Sequence, residues 1–365
     1  MSYSVLNCKS IKIKKMHRFV VSSLLISFIS CDTKNVVLII ADDFRPNIGA
    51  LGETGHFSSP EMVTPHMDSL ASRSLVLTNA FTQVALCGPS RSSFMTGRRP
   101  DTIRCYDNPD SKTFRQRLPD LVTMPQYFKQ HGYLAIGAGK IYHPGRLYRK
   151  TLSRRIKSII FTAKTIGIPD TNQEDDFPSS WSEEIHHTST TDDHSKIWHA
   201  YTEEELEGVV LRDVANTDYF VEKLSQISGE AVSGEKPFFF AMGFHKPHMP
   251  WDAPQEFFDL YPEADIDLPL NPYIPEDMPL SAWIHFNGVR RYPDCSADGT
   301  GIPDIGEPNV TYPDSQISEM RRAYYATISF MDHQVGRVLK AVEDNGLADN
   351  TVIMLIGDHG LHVSY

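Results

Sequence analysis

Four short apolar segments, each followed by polar residues, constrain the fold of this chain more than any other feature. They cover residues 36–41, 134–137, 238–242 and 351–356. Short apolar runs rich in branched or aromatic side chains are typical of strands buried on both faces. Helical patterns lie between them, over residues 67–75, 124–131 and 323–345. Because strands that alternate with helices pair in parallel, the sequence predicts an α/β fold with a largely parallel central sheet flanked by helices.

Polar side chains follow all four predicted strands. Asp42 and Asp43 follow the first strand, Lys140 and His143 the second, His245, Lys246 and His248 the third, and Asp358 and His359 the fourth. Ligands of open α/β sheets bind beyond the carboxyl ends of the strands. We therefore expect these residues to converge on one crevice. His248 is expected either to support the other site residues or to face the substrate directly.

The carboxylates of this crevice form a candidate metal site. A pair of acids after a strand commonly serves in a turn or a helix cap, which is the alternative for Asp42 and Asp43. Three carboxylates that converge with Asp358 would repel one another unless a cation lay between them. Oxygen ligands favour Ca²⁺ or Mg²⁺ over zinc. His359 is a less typical ligand of such a hard cation.

The segment from Cys87 to Arg98, CGPSRSSFMTGR, is the most distinctive motif of the chain. Proline is favoured in the first turn of a helix, so Pro89 predicts that a helix begins near Cys87. A side chain at position 87 would then lie near the positive end of the helix dipole, which suits a sulfate or another oxyanion. Arg91 follows one turn later. The alternatives are a buried core cysteine and an ordinary surface salt bridge of Arg91.

These residues together resemble the sulfatases of the alkaline phosphatase superfamily. The resemblance extends from about residue 35 to residue 360 and is carried by the Cys87 motif and by residues 41–46, 139–145 and 243–250. The run His245-Lys246-Pro247-His248 is typical of the branch that acts on iduronate 2-sulfate and of some other relatives. It narrows the subfamily without fixing the substrate.

The resemblance implies a set of functional residues and a modification. Cys87 would be converted to formylglycine by a formylglycine-generating enzyme. Calcium, with Mg²⁺ as the alternative, would be held by the modified residue and by Asp42, Asp43, Asp358 and His359. The sulfate would be bound by Lys140 and His245, with Lys246 beside them. Arg91 would hold the modified side chain, and His143 would assist proton transfer.

The resemblance also implies an activity. We expect a sulfuric ester hydrolase that removes the 2-sulfate from iduronate residues of dermatan or heparan sulfate. Two alternatives remain open, a phosphonate or phosphate ester hydrolase of the same fold and a catalytically impaired binding or decoy protein. Family members continue past the segment that corresponds to Asp358-His359-Gly360. Residues 32–365 are therefore predicted to be an incomplete sulfatase catalytic domain without the C-terminal subdomain.

The first 31 residues predict a signal peptide, and with it a lysosomal or extracellular location. They carry five basic residues and no acid, followed by an apolar run over residues 19–29 that is too short to span a bilayer comfortably. An uncleaved signal anchor is the alternative. The whole chain has 46 acidic and 35 basic residues and a net charge of −11. This balance argues against nucleic acid as a partner, and an anionic substrate would need a local basic pocket.

Three further expectations concern the rest of the chain. Residues 150–209 predict a long surface insertion, with His186 and His187 in solvent, and the proline-rich residues 268–313 predict an irregular segment. Cys105 and Cys295 remain as one possible disulfide, which spacing cannot confirm. Asn309 begins a glycosylation acceptor triplet.

Overall fold

The computed structural model describes residues 33–54, 62–108, 113–143, 175–188, 195–269, 273, 276–279, 289, 292–296 and 312–361. The predicted signal peptide and the acceptor Asn309 lie outside the described residues. Among the residues that are described, no helix is both long enough and apolar enough to cross a membrane.

The central sheet has four strands, which are the four segments that the sequence predicts. They are β1 (Asn35–Ala41), β2 (Leu134–Gly139), β4 (Phe238–Phe244) and β6 (Thr351–Gly357). Their order is β2-β4-β1-β6, and every neighbouring pair is parallel. A second sheet pairs β3 (Trp198–Tyr201) with β5 (Trp251–Pro254), again in parallel. The predicted α/β fold is confirmed.

Helices cover both faces of the central sheet. The described α-helices are α1 (Pro65–Ser72), α2 (Cys87–Thr96), α3 (Pro100–Ile103), α4 (Thr113–Arg117), α5 (Met124–Gln130), α6 (Arg212–Ser233), α7 (Gln255–Asp259), α8 (Pro293–Ser296) and α9 (Asp314–Asp344). Short 3₁₀ helices cover Gly49–Thr54, Glu263–Asp265 and Ala348–Asn350. The longest helix, α9, contains the predicted stripe over residues 323–345.

The strands divide the core into two hydrophobic clusters, one on each face of the sheet. Val37 and Ile39 of β1 belong to the cluster beneath α6 and α9, and Leu38 and Ile40 belong to the cluster beneath α2 and α5. On the first face Phe220 of α6 packs on Phe240, with ring centroids 4.3 Å apart. Because successive residues of each strand face opposite clusters, both faces need apolar side chains, which explains the unbroken apolar runs.

The predicted surface insertion is wrong for much of residues 175–188 and for β3, whereas His187 and most of residues 202–209 are exposed as predicted. Residues 175–188 lie against the edge of β2, where the His186 N–H donates to Gly137 O at 3.0 Å and the Gly139 N–H donates to His186 O at 2.9 Å. Trp181 in this segment is fully buried, and the His186 ring stacks on Tyr219. The other described part of the predicted insertion contains β3, which belongs to the two-stranded sheet, and then an exposed stretch over residues 202–209.

The possible disulfide between Cys105 and Cys295 is not formed. Both side chains are buried thiols. Cys105 belongs to the cluster that contains Leu38, whereas Cys295 belongs to the cluster that contains Val37. The two residues therefore lie on opposite faces of the central sheet, and the sheet separates them.

The exposed segment after α1 provides a stability prediction. Leu75 is 85% exposed, whereas Leu224 of α6 is fully buried. We expect Leu75→Ala to change the free energy of unfolding by less than about 0.5 kcal/mol. The matched variant Leu224→Ala should lower it by about 2–5 kcal/mol, because it leaves a cavity under β4. Urea denaturation of both variants measures the difference, and equal losses would contradict the described packing.

Candidate active site

Three carboxylates meet where β1 and β6 end. Ala41 pairs with Gly357 in the sheet, so Asp42 and Asp43 follow one strand directly beside Asp358 of the other. The Asp43 N–H donates to Asp358 Oδ1 at 2.9 Å. All three side chains are buried, and one oxygen from each lies within 4.8 Å of the other two. The structure therefore confirms the predicted convergence of these three acids.

Two buried cations partly balance this negative charge. Arg91 is fully buried, and it donates from Nε to Asp358 Oδ2 at 2.8 Å and from Nη2 to Asp42 Oδ1 at 3.1 Å. Lys140 Nζ donates to Asp42 Oδ2. The surface salt bridge considered for Arg91 is therefore wrong. Its guanidinium also donates to the carbonyls of Lys140 and Ile141, so it joins α2 to the ends of three strands.

The pKa values of the carboxylates follow from this arrangement. Burial opposes the ionisation of Asp42, but Lys140 and Arg91 outweigh burial and hold the pKa of Asp42 well below its usual value. Burial raises the pKa of Asp358, although Arg91 acts in the opposite direction. A divalent cation between the three carboxylates would favour the ionised form of each. The donor set, three carboxylates with a histidine beside them, fits a hard divalent metal ion.

Cys87 is the first residue of α2, as the motif predicts. Leu86 is the N-cap in an extended conformation, and Pro89 lies in the first turn. The Cys87 Sγ lies 3.1 Å from His359 Nε2 and 3.9 Å from Asp43 Oδ1. Burial, together with the carboxylate of Asp42, raises the pKa of the Cys87 thiol. An unmodified Cys87 is therefore held as a neutral thiol, which is a poor nucleophile.

Two glycines bring Lys140 and His245 onto neighbouring strand ends. A Cβ on Gly139 would lie 2.1 Å from Gly243 O, and a Cβ on Gly243 would lie 1.9 Å from Lys140 O. Gly139 also has a φ of +75°, in the left-handed region that favours glycine. The Lys140 N–H then donates to Gly243 O at 2.9 Å. Because no side chain separates the two strands here, the polar residues that follow them lie side by side.

The histidines around the carboxylates differ in environment. Burial and the nearby Lys140 ammonium lower the pKa of His143 to about 3, so this imidazole is neutral near physiological pH. His359 Nε2 lies 3.1 Å from Asp43 Oδ1. His248 Nε2 lies 3.8 Å from Asp43 Oδ2, and its side chain is partly open to solvent. His248 is therefore part of the same cluster, in a position that the sequence left undecided.

A family comparison decides what this constellation is. The family model described as Sulfatase matches residues 34–365. The chain belongs to the sulfatase family. The prediction made from the Cys87 motif and the strand ends is therefore confirmed.

Individual relatives agree with this family. Iduronate 2-sulfatase of Mus musculus is 36% identical over 344 residues, and iduronate 2-sulfatase of Homo sapiens is 35% identical over 339 residues. Both alignments cover 90% of this chain and 55% of the relative. The chain thus spans about half the length of the curated relatives that it matches. The solved phosphonate monoester hydrolase from Silicibacter pomeroyi has a TM-score of 0.56 at 18% identity, over 90% of this chain and 63% of that chain, and shows the shared fold.

Lys246 is a predicted site residue whose side chain is turned away from the carboxylate cluster. Its Nζ donates to Pro250 O at 2.6 Å and to the buried carboxylate of Asp252. The ammonium thus holds the turn between β4 and β5, and the contact with substrate that the resemblance implies for it stays a prediction.

Asp213 is a site residue that the sequence analysis missed. It lies in the first turn of α6, where acids are common because they favour the helix dipole. In the structure its carboxylate accepts the backbone N–H of His245 at 2.9 Å and lies 3.1 Å from the ring Nδ1 of the same residue. No local pattern distinguishes this acid from an ordinary first-turn residue, so only the fold reveals the contact.

Removing the Arg91 charge should destabilise the protein strongly. We expect Arg91→Met to lower the free energy of unfolding by about 3–5 kcal/mol, because Asp42 and Asp358 then lose their shared buried partner. The matched control is Arg99→Met, since Arg99 pairs with Asp101 at 3.3 Å on the surface. That control should cost less than about 1 kcal/mol. Chemical denaturation measures both values, and a small loss for Arg91→Met would refute the structural role.

His143 should make stability depend on pH. The folded-state pKa of about 3 lies below the ordinary value of 6.5, so between these values the unfolded chain binds a proton that the folded chain does not. The free energy of unfolding should therefore fall as pH falls below 6.5, by up to about 1.4 kcal/mol per pH unit from this group. His143→Gln should flatten that slope in denaturation series, whereas the exposed control His131→Gln should leave it unchanged. Identical slopes for all three proteins would contradict the prediction.

Proposed function

We propose that this protein hydrolyses sulfate monoesters and removes the 2-sulfate from iduronate residues of dermatan or heparan sulfate. The observation that carries the proposal is the position of residue 87. Its Sγ lies at the amino end of α2, 3.1 Å from His359 Nε2 and within reach of the three buried carboxylates. A reactive group formed there would face a metal site, a helix amino terminus and the basic residues of two neighbouring strands.

Calcium is the metal that we assign to the carboxylate cluster. Asp42, Asp43 and Asp358 would hold it, with His359 and the modified residue 87 as further ligands. Several carboxylate oxygens in an irregular arrangement suit Ca²⁺ better than Mg²⁺, which requires near-ideal octahedral geometry. When bound, the metal polarises the sulfate oxygens and the attacking hydroxyl. The surplus of three carboxylates over Arg91 and Lys140 supports the assignment.

Conversion of Cys87 to formylglycine is the second part of the proposal. The neutral, buried thiol is unsuited to nucleophilic attack. A hydrated formylglycine supplies two hydroxyls on one carbon. One would attack sulfur and displace the sugar alcohol, and loss of a proton from the other would expel sulfate and regenerate the aldehyde. A serine at this position has a single hydroxyl and supports the first half only. The formylglycine-generating enzyme is accordingly the maturation partner that we propose.

The basic residues around this group bind and orient the sulfate. Lys140 already contacts a carboxylate of the cluster, so a cation that neutralises Asp42 would release its ammonium to a sulfate oxygen. His245, on the neighbouring strand end, faces the same region. His143 would assist proton transfer; its pKa of about 3 keeps the imidazole neutral near physiological pH, and a base with so low a pKa holds a proton only weakly. Arg91 lowers the pKa of Asp42, opposes the effect of burial on Asp358, and holds both carboxylates in place by hydrogen bonds.

The proposal of iduronate 2-sulfate as substrate rests on similarity. Relatives from mouse and human are named iduronate 2-sulfatase and share 36% and 35% of residues with this chain. The run from His245 to His248 is the segment that the sequence analysis associates with this branch. The net charge of −11 repels an anionic glycosaminoglycan. The substrate would therefore bind through a local basic pocket that contains Lys140 and the histidines. Passage through the secretory pathway to a lysosomal or extracellular location belongs to the same proposal.

Mass spectrometry combined with a sulfate-release assay tests the proposal. The Cys87 peptide, from protein made in a host that contains a formylglycine-generating enzyme, should be lighter by about 18 Da than the unmodified peptide. That preparation should release sulfate from a disaccharide ending in iduronate 2-sulfate, and Cys87→Ala should release none.

Other outcomes would decide against hydrolysis of this substrate. An unmodified thiol from the competent host would contradict the formylglycine assignment. Binding of the disaccharide without turnover by a modified chain would instead support the alternative of a binding or decoy protein. Faster turnover of a phosphonate or phosphate ester would support the other alternative.

A further inference from the structure

Asp213 makes a set of contacts that no ordinary helix acid makes. It is 2% exposed, and its two oxygens make four polar contacts with His245 and Lys246. Oδ1 and Oδ2 accept the backbone N–H of His245 at 2.9 and 3.0 Å, and Oδ2 accepts the N–H of Lys246 at 2.9 Å. The His245 ring Nδ1 lies 3.1 Å from Oδ1. Both the backbone and the ring of His245 are thus held by one carboxylate.

The carboxylate is ionised and rigidly placed. Burial opposes its ionisation, but the hydrogen bonds from His245 outweigh burial and lower the pKa of Asp213. The helix that carries it is anchored by Phe220 and Leu224, which are fully buried against the sheet. The amino end of α6 also favours a negative charge at this position. Asp213 therefore lies on a fixed element, close to the end of β4.

This contact determines which nitrogen of His245 is available. An ionised carboxylate accepts but does not donate, so the ring nitrogen beside it must carry the proton. Nδ1 is then occupied, and any bond between the ring and a substrate passes through Nε2. A partner that fixes one ring nitrogen sets both the tautomer and the orientation of an imidazole.

We propose that Asp213 is a positioning residue, which holds His245 in its Nδ1-protonated form with Nε2 directed toward the bound sulfate ester. The part of this statement that concerns the sulfate rests on the proposed function. Burial outweighs Asp213 and lowers the pKa of His245, so the ring without substrate favours the neutral form. A bound sulfate would add negative charge beside Nε2 and favour the doubly protonated ring, whose Nε2–H donates to a sulfate oxygen. The groups that face the ring are Asp213 and Arg212 of α6 and Lys140 at the end of β2.

Nitrogen NMR of histidine tests the position of the proton without any activity. Protein labelled with ¹⁵N in histidine is measured at a pH where His245 is neutral, and its signals are identified by comparison with His245→Gln. The wild-type protein should show a protonated Nδ1 and an unprotonated Nε2. Asp213→Asn keeps an oxygen for the backbone N–H groups but offers an amide donor to Nδ1, so the proton should move to Nε2. A protonated Nε2 in the wild-type protein would overturn the inference, whether or not the variant folds.

Kinetics with a matched control separates positioning from simple stabilisation. Asp252 is also a buried carboxylate that holds this turn, through Lys246 Nζ, but it has no role assigned at the His245 ring. Per folded molecule, Asp213→Asn should lower kcat/KM for the sulfate ester by about 100-fold or more. Asp252→Asn should lower thermal stability and change kcat/KM by less than about threefold. Equal kinetic losses in the two variants would overturn the positioning role.

The two measurements allow the proposed function and the inference about Asp213 to be rejected independently. If the wild-type protein releases no sulfate from any ester, the proposed function fails, and the tautomer of His245 still decides whether Asp213 positions the ring. If the wild-type protein is active and Asp213→Asn keeps both its rate and its tautomer, the proposed function stands and the inference about Asp213 is wrong.

Discussion

The repulsion among three buried carboxylates is the interaction on which the rest of the structure depends. The parallel register of β1 and β6 places Asp42, Asp43 and Asp358 together, away from water. Such a group is stable only when positive charges lie beside it. Arg91 of α2 and Lys140, which directly follows β2, form ion pairs with these carboxylates. The position of α2 relative to the sheet is therefore fixed by charge as well as by packing.

The same constraint determines the chemistry available at residue 87. Because Arg91 fixes α2 one turn later, the side chain at the first residue of the helix must face the carboxylates. A thiol in that environment stays protonated, since the ionised form would meet both burial and negative charge. A neutral aldehyde hydrate beside a metal ion is compatible with this environment, which gives a physical reason for a modified residue. Two histidines of the site also differ in the partner that holds the ring, which is Asp213 for His245 and the cluster itself for His359.

Much of this organisation follows from the sequence. Apolar runs that are followed by polar residues predict a parallel sheet with polar side chains at one edge, and the structure has both. Pro89 correctly predicts where α2 begins. Local patterns failed where a residue's role depends on a distant partner. Lys246 follows His245 in the chain but turns toward Asp252, and Asp213 resembles any acid in a first helical turn. Residues 175–188 have no strand periodicity, because they pair with β2 over only a few residues around His186.

A calcium titration tests the central claim, that the buried carboxylates form a cation site which contains residue 87. Isothermal titration of the chelator-treated protein should show one Ca²⁺ bound per chain, with thermal stability that rises with calcium concentration. Asp43→Asn should weaken this affinity by about tenfold or more, whereas Asp101→Asn, on the exposed helix α3, should leave it unchanged. Absence of binding to the wild-type protein, or equal affinity in wild type and Asp43→Asn, would contradict the account.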